Sequence, residues 1–373
     1  MDSQNNMPVS SEKPGNKKTK KNRKWLRTLG VIVGRFMIFV LVTVILAATA
    51  LYGVMYVLTK GPSPTARDIF VMSVRETSAV GFLANLFFTD EEIAQIESRG
   101  DQEEVVDIDT SLIEIPKPTE KDPNNNEGPK PDAWGLIDED GDGIIIEMVR
   151  GEGYTGYMMV VLDPSRVVMA TKPEMYGIRG YTVAQMVEQF DGIAGINAGG
   201  FYDPNGQGNG SIPDTMVVSD GKVYYPEKGV SQGFVGFDSN NIMHVGKPTA
   251  TEIAEKDIQS GVCFGPVLVA NGECKIDYFS GVNPRTGIGQ RSDGAILMLV
   301  IDGRQVTSLG ATYQDMAEVF LSYGAVNACN LDGGSSSMMW YEGEYINNCA
   351  SVSGIRPIPT AFVVLKKGAN DNG

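Results

Sequence analysis

Residues Gly265–Ile276 read GPVLVANGECKI: an apolar run, an Asn271-Gly272 pair and a second short run. Asn-Gly between two such runs is the strongest short signal for a β-hairpin, because tight turns that match strand twist need positive φ at their central residues. The same pattern extends along the chain on both sides. GYMMVVLDPSRVVMA (Gly156–Ala170), TMVVSDGKVYY (Thr215–Tyr225), GFVGFDSNNIMHVG (Gly233–Gly246) and AILMLVIDGR (Ala295–Arg304) are short strand-like runs broken by turns, several of them Asp-Gly. Two helical stretches interrupt them, Thr182–Phe190 and Gln314–Tyr323 (QDMAEVFLSY). With 44 glycines in 373 residues and no repeat of 20–50 residues, the reading is an α+β domain from about Trp134. Its core is a mixed, largely antiparallel sheet with a few helices.

Upstream, the composition changes three times. Met1–Arg35 is polar and basic, and Phe36–Leu58 (FMIFVLVTVILAATALYGVMYVL) carries no charge. As a helix that run is roughly 34 Å long at about 1.5 Å per residue, enough for a hydrocarbon core of about 30 Å. It is too long for a signal-peptide core and lacks a small-x-small cleavage site, so it reads as a single transmembrane anchor. The preceding Lys/Arg cluster places the N-terminus in the cytoplasm and the rest of the chain outside. Thr59–Arg99 reads as a helical juxtamembrane segment, with Thr89 and Glu92 spaced as a capping box. Gly100–Ala133 (including PKPTEKDPNNNEGPKPDA) reads as an acidic Pro/Asn linker, and Trp134–Gly373 as a separately folding domain.

Of 31 Lys/Arg and 46 Asp/Glu, nine and two lie up to Arg35; the remaining 22 and 44 give the exported part a net charge of −22. That excludes nucleic acid as a partner and requires a local basic pocket for any anionic substrate. The four cysteines, Cys263, Cys274, Cys329 and Cys349, all fall in this part, where disulfides are permitted. Three pairings are open, with Cys329 and Cys349, which flank a hairpin, favoured. The single histidine, His244, on an expected exposed hairpin, nearly excludes His-rich zinc sites and Ser-His-Asp triads. DEDGDG (Asp138–Gly143) opens like a calcium loop, but the twelfth position is Val149, so an acidic turn entering a strand is the better reading.

Carboxylates, hydroxyls, amides and arginine therefore remain to carry chemistry, and three glycine-rich segments combine them. GINAGGFYDPNG (Gly195–Gly206) offers Asn197 and a Gly199-Gly200 bend; NPRTGIGQ (Asn283–Gln290) offers Arg285, whose planar fork suits phosphate or carboxylate. CNLDGGSSSMM (Cys329–Met339) sets Asp332 at the end of an apolar strand, before exposed amides and hydroxyls.

At these residues the chain resembles the phosphodiester glycosidase family. The resemblance rests on NAGGFY (Asn197–Tyr202), GPVLVANG (Gly265–Gly272), PRTGIG (Pro284–Gly289), DGR (Asp302–Arg304), SLGAT (Ser308–Thr312), NLDGGSS (Asn330–Ser336) and Arg356-Pro357, in order over about Tyr154–Leu365. The third glycine of the family's NLDGGGS is Ser335 here. The resemblance implies hydrolysis of a sugar-1-phosphodiester, without a cofactor, in cell-surface polysaccharide metabolism. On it, Asp332 is the expected catalytic carboxylate, Arg285 the phosphate clamp, and Asp302 or Glu273 the second carboxylate. Asn197, Gly199, Gly200, Phe201, Thr286, Gly333, Gly334, Ser335, Ser336 and Arg356 would line the substrate. Two other classes stay open: a non-catalytic module binding glycan or a partner, and a hydrolase using one of Ser335–Ser337 as nucleophile, for which no GxSxG elbow is present.

Overall fold

The computed structural model describes residues 17–77, 80–98, 107–116, 129–204, 208–224, 233–351 and 354–368. They form two units, Met1–Ser63 and Pro64–Gly373. The first is a single helix, α1 (Lys17–Lys60), whose stretch Trp25–Lys60 is long and apolar enough to cross a membrane, with a mean hydropathy of 2.6 over its most apolar 18 residues. That stretch extends the expected span at both ends. Thr43 and Thr49 are satisfied within the helix, donating to the carbonyls of Phe39 and Ile45, so they do not interrupt an apolar surface.

In the second unit every ladder is antiparallel. The largest sheet has seven strands in the order β1 (Ile144–Gly151), β2 (Tyr154–Val161), β13 (Ile296–Ile301), β12 (Arg285–Arg291), β14 (Ala325–Leu331), β10 (Val267–Ala270), β11 (Glu273–Cys274). A five-stranded sheet follows the order β16 (Glu344–Tyr345), β15 (Met339–Tyr341), β4 (Gly192–Asn197), β17 (Thr360–Leu365), β3 (Val167–Thr171). Another runs β6 (Lys222–Tyr224), β5 (Val217–Ser219), β9 (Ile258–Val262), β7 (Phe234–Asp238), β8 (Met243–Gly246). The hairpin signals become β10–β11, turning through Asn271 and Gly272 at φ 53° and 77°, and β5–β6, turning through Asp220 and Gly221 at φ 52° and 68°.

The three sheets share one core. On β13 the residues Ile296, Met298 and Val300 face it, while Leu297, Leu299 and Ile301 face the other side, against α6 (Tyr313–Ser322). A strand buried on both faces must be apolar at every position, which is why ILMLVI shows no alternation. Helix α4 (Val183–Gln189) covers the five-stranded sheet that carries β4, and short α5 (Ala250–Glu255) packs on β9. Capping boxes at Thr182, Thr249 and Thr312 start all three helices, as one at Thr89 starts α3 (Asp90–Glu97).

Four expectations change. Helix α2 (Pro64–Arg75) and α3 belong to the same unit as the sheets, where Ser73 accepts from Val282 N at 2.9 Å. The expected linker is also attached in its described parts. Glu114 N donates to Ser292 O (2.8 Å), Ile113 is buried, and Asp132 pairs with the buried Arg291 at 2.7 Å. Isolated isoleucines in a polar stretch suffice to pin it, and average composition hides them. His244 is buried on β8 against Asp238 (3.1 Å) rather than exposed. All four cysteines are free. Cys329 faces the shared core whereas Cys349 packs against the α4 side, so the favoured pair belongs to different cores. DEDGDG is an acidic turn: Asp138 accepts from Gly141 N and Gly143 N, and Asp142 from Ile144 N at the start of β1.

Candidate active site

The register of β12 against β14 sets Thr286 opposite Leu331, so β14 ends beside Pro284-Arg285 and releases Asp332 at the sheet's edge. There the two β systems are knitted together by Asn197, the last residue of β4. Its Nδ2 donates to Asp332 O at 2.5 Å, and its Oδ1 accepts from Thr286 Oγ1 (2.8 Å) and Met338 N (3.0 Å). Asp332 N donates to Ala198 O at 2.9 Å. Asn197 thus holds the Asp332 backbone, and Thr286 holds Asn197. Both are completely buried, so they position the carboxylate rather than meet a sugar.

The loop after Asp332 folds back in a short 3₁₀ turn, Gly334–Ser336, anchored by Gly334 N on Pro284 O (2.8 Å). Gly333 is tight against the same carbonyl, and Gly334 has φ +62°, which favours glycine. The Ser336 side chain bonds the Asp332 carboxylate. Burial raises the Asp332 pKa from 3.8 to about 7, with Asp214 and Asp203 adding to the rise and the Ser336 bond and Arg356 opposing it. A carboxyl held near neutrality at the end of a strand is suited to proton transfer at physiological pH.

Two further carboxylates share this corner. Asp214 N donates to Gly200 O (3.2 Å), two residues from the carbonyl that holds Asp332, so both acids flank the Ala198–Gly200 segment. The Asp214 carboxylate lies over Gly200, where a Cβ would sit 2.7 Å from Oδ2; the residue keeps solvent-exposed surface while its carboxyl pKa is raised by burial. Gly199 is equally close-packed, its N on Thr360 Oγ1 at 3.0 Å. Asp203 is held in a bidentate pair by Arg356 (2.9 and 2.8 Å), which lies 5.0 Å from the Phe201 ring and donates to Ser335 Oγ at 3.2 Å. The cation that opposes the charge of Asp332 is therefore Arg356.

Arg285 is placed differently from the expectation. Side chains alternate along a strand, and Thr286 faces Asn197, so Arg285 leaves β12 on the opposite face. Its guanidinium is buried against Tyr313 (4.1 Å), with Nη2 on Glu76 Oε2 (2.7 Å) and Gly281 O (2.5 Å) and Nε on Ala311 O (3.1 Å). The other expected carboxylates also lie apart from Asp332. Asp302, at the end of β13, accepts from Asn347 Nδ2 (3.1 Å), Asn348 N (3.0 Å) and Asn348 Nδ2 (3.3 Å). Asn347 in turn bonds Ser337 O and Met339 N, so Asp302 braces the Gly-Ser loop. Glu273 is exposed on the β10–β11 hairpin beside Lys275. Because β10 runs antiparallel to β14, that hairpin lies at the far end of the strands, roughly 16 Å along from Asp332 at about 3.3 Å per residue.

Residues 190–365 match the phosphodiester glycosidase family. Over that stretch the chain is similar to that family. Relatives include the SPbeta prophage-derived uncharacterized protein YomE of Bacillus subtilis, 34% identical over 179 residues, 45% of this chain and 27% of YomE. N-acetylglucosamine-1-phosphodiester alpha-N-acetylglucosaminidase of Mus musculus is 25% identical over 215 residues, 50% of this chain and 40% of its own length. The chain thus spans well under half of either relative. The fold matches the catalytic domain of the zebrafish enzyme of that name, auto-inhibited by pro-peptide. Its TM-score is 0.50 and its identity 20%, over 60% of this chain and 82% of that one. The family match, residues 190–365, encloses Asp203, Asp214, Asp332 and Arg356. Of these, sequence reasoning had passed over Asp203 and Asp214: the first lies inside a segment already singled out, and the second, in SIPDT, carries no local signal.

Proposed function

We propose that this domain hydrolyses the glycosidic bond of a sugar-1-phosphodiester outside the cytoplasm, in the turnover of a cell-surface polysaccharide. The observation that carries the reading is Asp332, a carboxyl with a pKa of about 7 fixed by Asn197 and Ser336 beside Asp214. A phosphodiester is already a good leaving group, so the demand for a strong general acid is relaxed and one activating carboxylate suffices. Ionised Asp332 takes a proton from water as the water oxygen bonds to C1; the bond from C1 to the phosphate oxygen breaks, and its electron pair leaves with the phosphate. Asp214, open to solvent, faces the positive charge that develops on the ring. Ser335 and Gly334 border the same space. The Lys/Arg cluster that precedes the apolar span supports an inside N-terminus and an exported domain.

The test is turnover of a panel of sugar-1-phosphodiesters by the full chain in detergent, with and without chelator. Free sugar should be released, with a rate that rises as pH passes about 7 and is lost in Asp332→Asn. An inert panel, or full activity in Asp332→Asn, contradicts the proposal.

A further inference from the structure

Arg304 lies three residues past the end of β13. It sits in the left-handed region at φ 58°, a conformation that a non-glycine side chain adopts at a cost. That conformation lays its guanidinium over the Gly-Gly-Ser loop, 3.3 Å from where a Cβ on Gly334 would stand. Gly334 is two residues from Asp332. Arg285, Arg291 and Arg356 are each tied to a carboxylate at 2.6–2.8 Å. Arg304 is different: its Nη2 donates to two neutral oxygens, Thr77 Oγ1 (2.7 Å) and Asn283 Oδ1 (3.1 Å), and among the described residues it forms no ion pair. The residue is exposed, and it lies within electrostatic reach of Arg285, so two guanidinium groups share the single carboxylate of Glu76.

We propose that Arg304, rather than Arg285, receives the phosphate of the substrate, in the angle between Gly334 and Thr77. The inference rests on the glycosidase reading of Asp332 and names the group that holds the leaving phosphate. An anion entering here exchanges two neutral hydrogen bonds of Arg304 for charge-assisted ones, which are roughly twice as strong. Arg285 has no such capacity, because its donors already face Glu76 and two carbonyls.

Inorganic phosphate and glycerol 2-phosphate, titrated calorimetrically into the full chain in detergent, test the assignment without requiring turnover. Arg304→Gln should weaken binding about tenfold or more, with an unchanged melting temperature, and Arg304→Lys should recover part of it. In kinetics the same substitution should raise KM for a charged phosphodiester by a similar factor, and affect a neutral aryl glycoside little. Phosphate binding through Arg304 without turnover of any sugar phosphodiester would uphold this assignment and remove the glycosidase reading. Unchanged phosphate affinity in Arg304→Gln, no measurable binding by the wild type, or loss of binding in a normally melting Arg285→Gln would overturn it.

Discussion

Asp332→Asn should both inactivate the domain and stabilise it at alkaline pH. In the folded protein the Asp332 pKa is raised, chiefly by burial, from 3.8 to about 7. The folded state therefore binds this proton more tightly than the unfolded chain. The sign follows: the contribution to stability is fully present below about pH 4 and is lost as pH rises through about 7. A shift of about three units at about 1.36 kcal/mol each caps the effect at about 4 kcal/mol, and water reaching the partly exposed edge of the residue reduces it toward about 2 kcal/mol. Asparagine has no charge to desolvate and keeps an oxygen for the Ser336 bond. Thermal unfolding of wild type and variant at pH 4 and pH 8 measures the difference directly. The variant should match the wild type at pH 4 and exceed it at pH 8, while turnover falls by orders of magnitude. Equal destabilisation at both pH values would refute the reasoning and reduce Asp332 to a residue that caps a turn.

Three further outcomes are expected. Glu76→Ala leaves the buried Arg285 guanidinium without its carboxylate and should cost up to about 3–5 kcal/mol, read as a lowered melting temperature; an unchanged melt would make the contact incidental. A fragment from Pro64 should melt higher than one from Trp134, because Ser73, Glu76 and Thr77 bond the 281–285 region; equal melts would restore the boundary at Trp134. Protease added to intact cells should remove a tag placed at Gly373 and spare one near Asn5, and the reverse pattern would invert the topology.

Much of the fold was legible because its signals are local. Asn271-Gly272 and Asp220-Gly221 specify their turns through φ alone, and the capping boxes at Thr89 and Thr182 need only residues three apart. The place of Asp332 at a strand end was legible because an apolar run followed by Asp-Gly-Gly-Ser is a contiguous pattern. What was hidden depends on register and distance. Whether Arg285 or Thr286 faces Asn197 is a matter of strand parity, which a one-residue slip reverses and which only the pairing with β14 fixes. The Arg285–Glu76 pair joins residues 209 apart, and Asp214 meets Gly200 through a fold of the chain rather than a motif. His244 misled for the same reason: its strand alternates with both faces covered, so its burial was set by packing partners that its own neighbours do not reveal.

If Asp332 directs water at the sugar, the bond broken is the one between C1 and oxygen, not the one between phosphorus and oxygen. Hydrolysis of a sugar-1-phosphodiester in water enriched in oxygen-18, followed by mass spectrometry of both products, decides between them. Attack at C1 by water activated at Asp332 predicts the heavy oxygen in the released sugar and none in the phosphate. Heavy oxygen in the phosphate would mean that the domain is a phosphodiesterase, and would contradict the account.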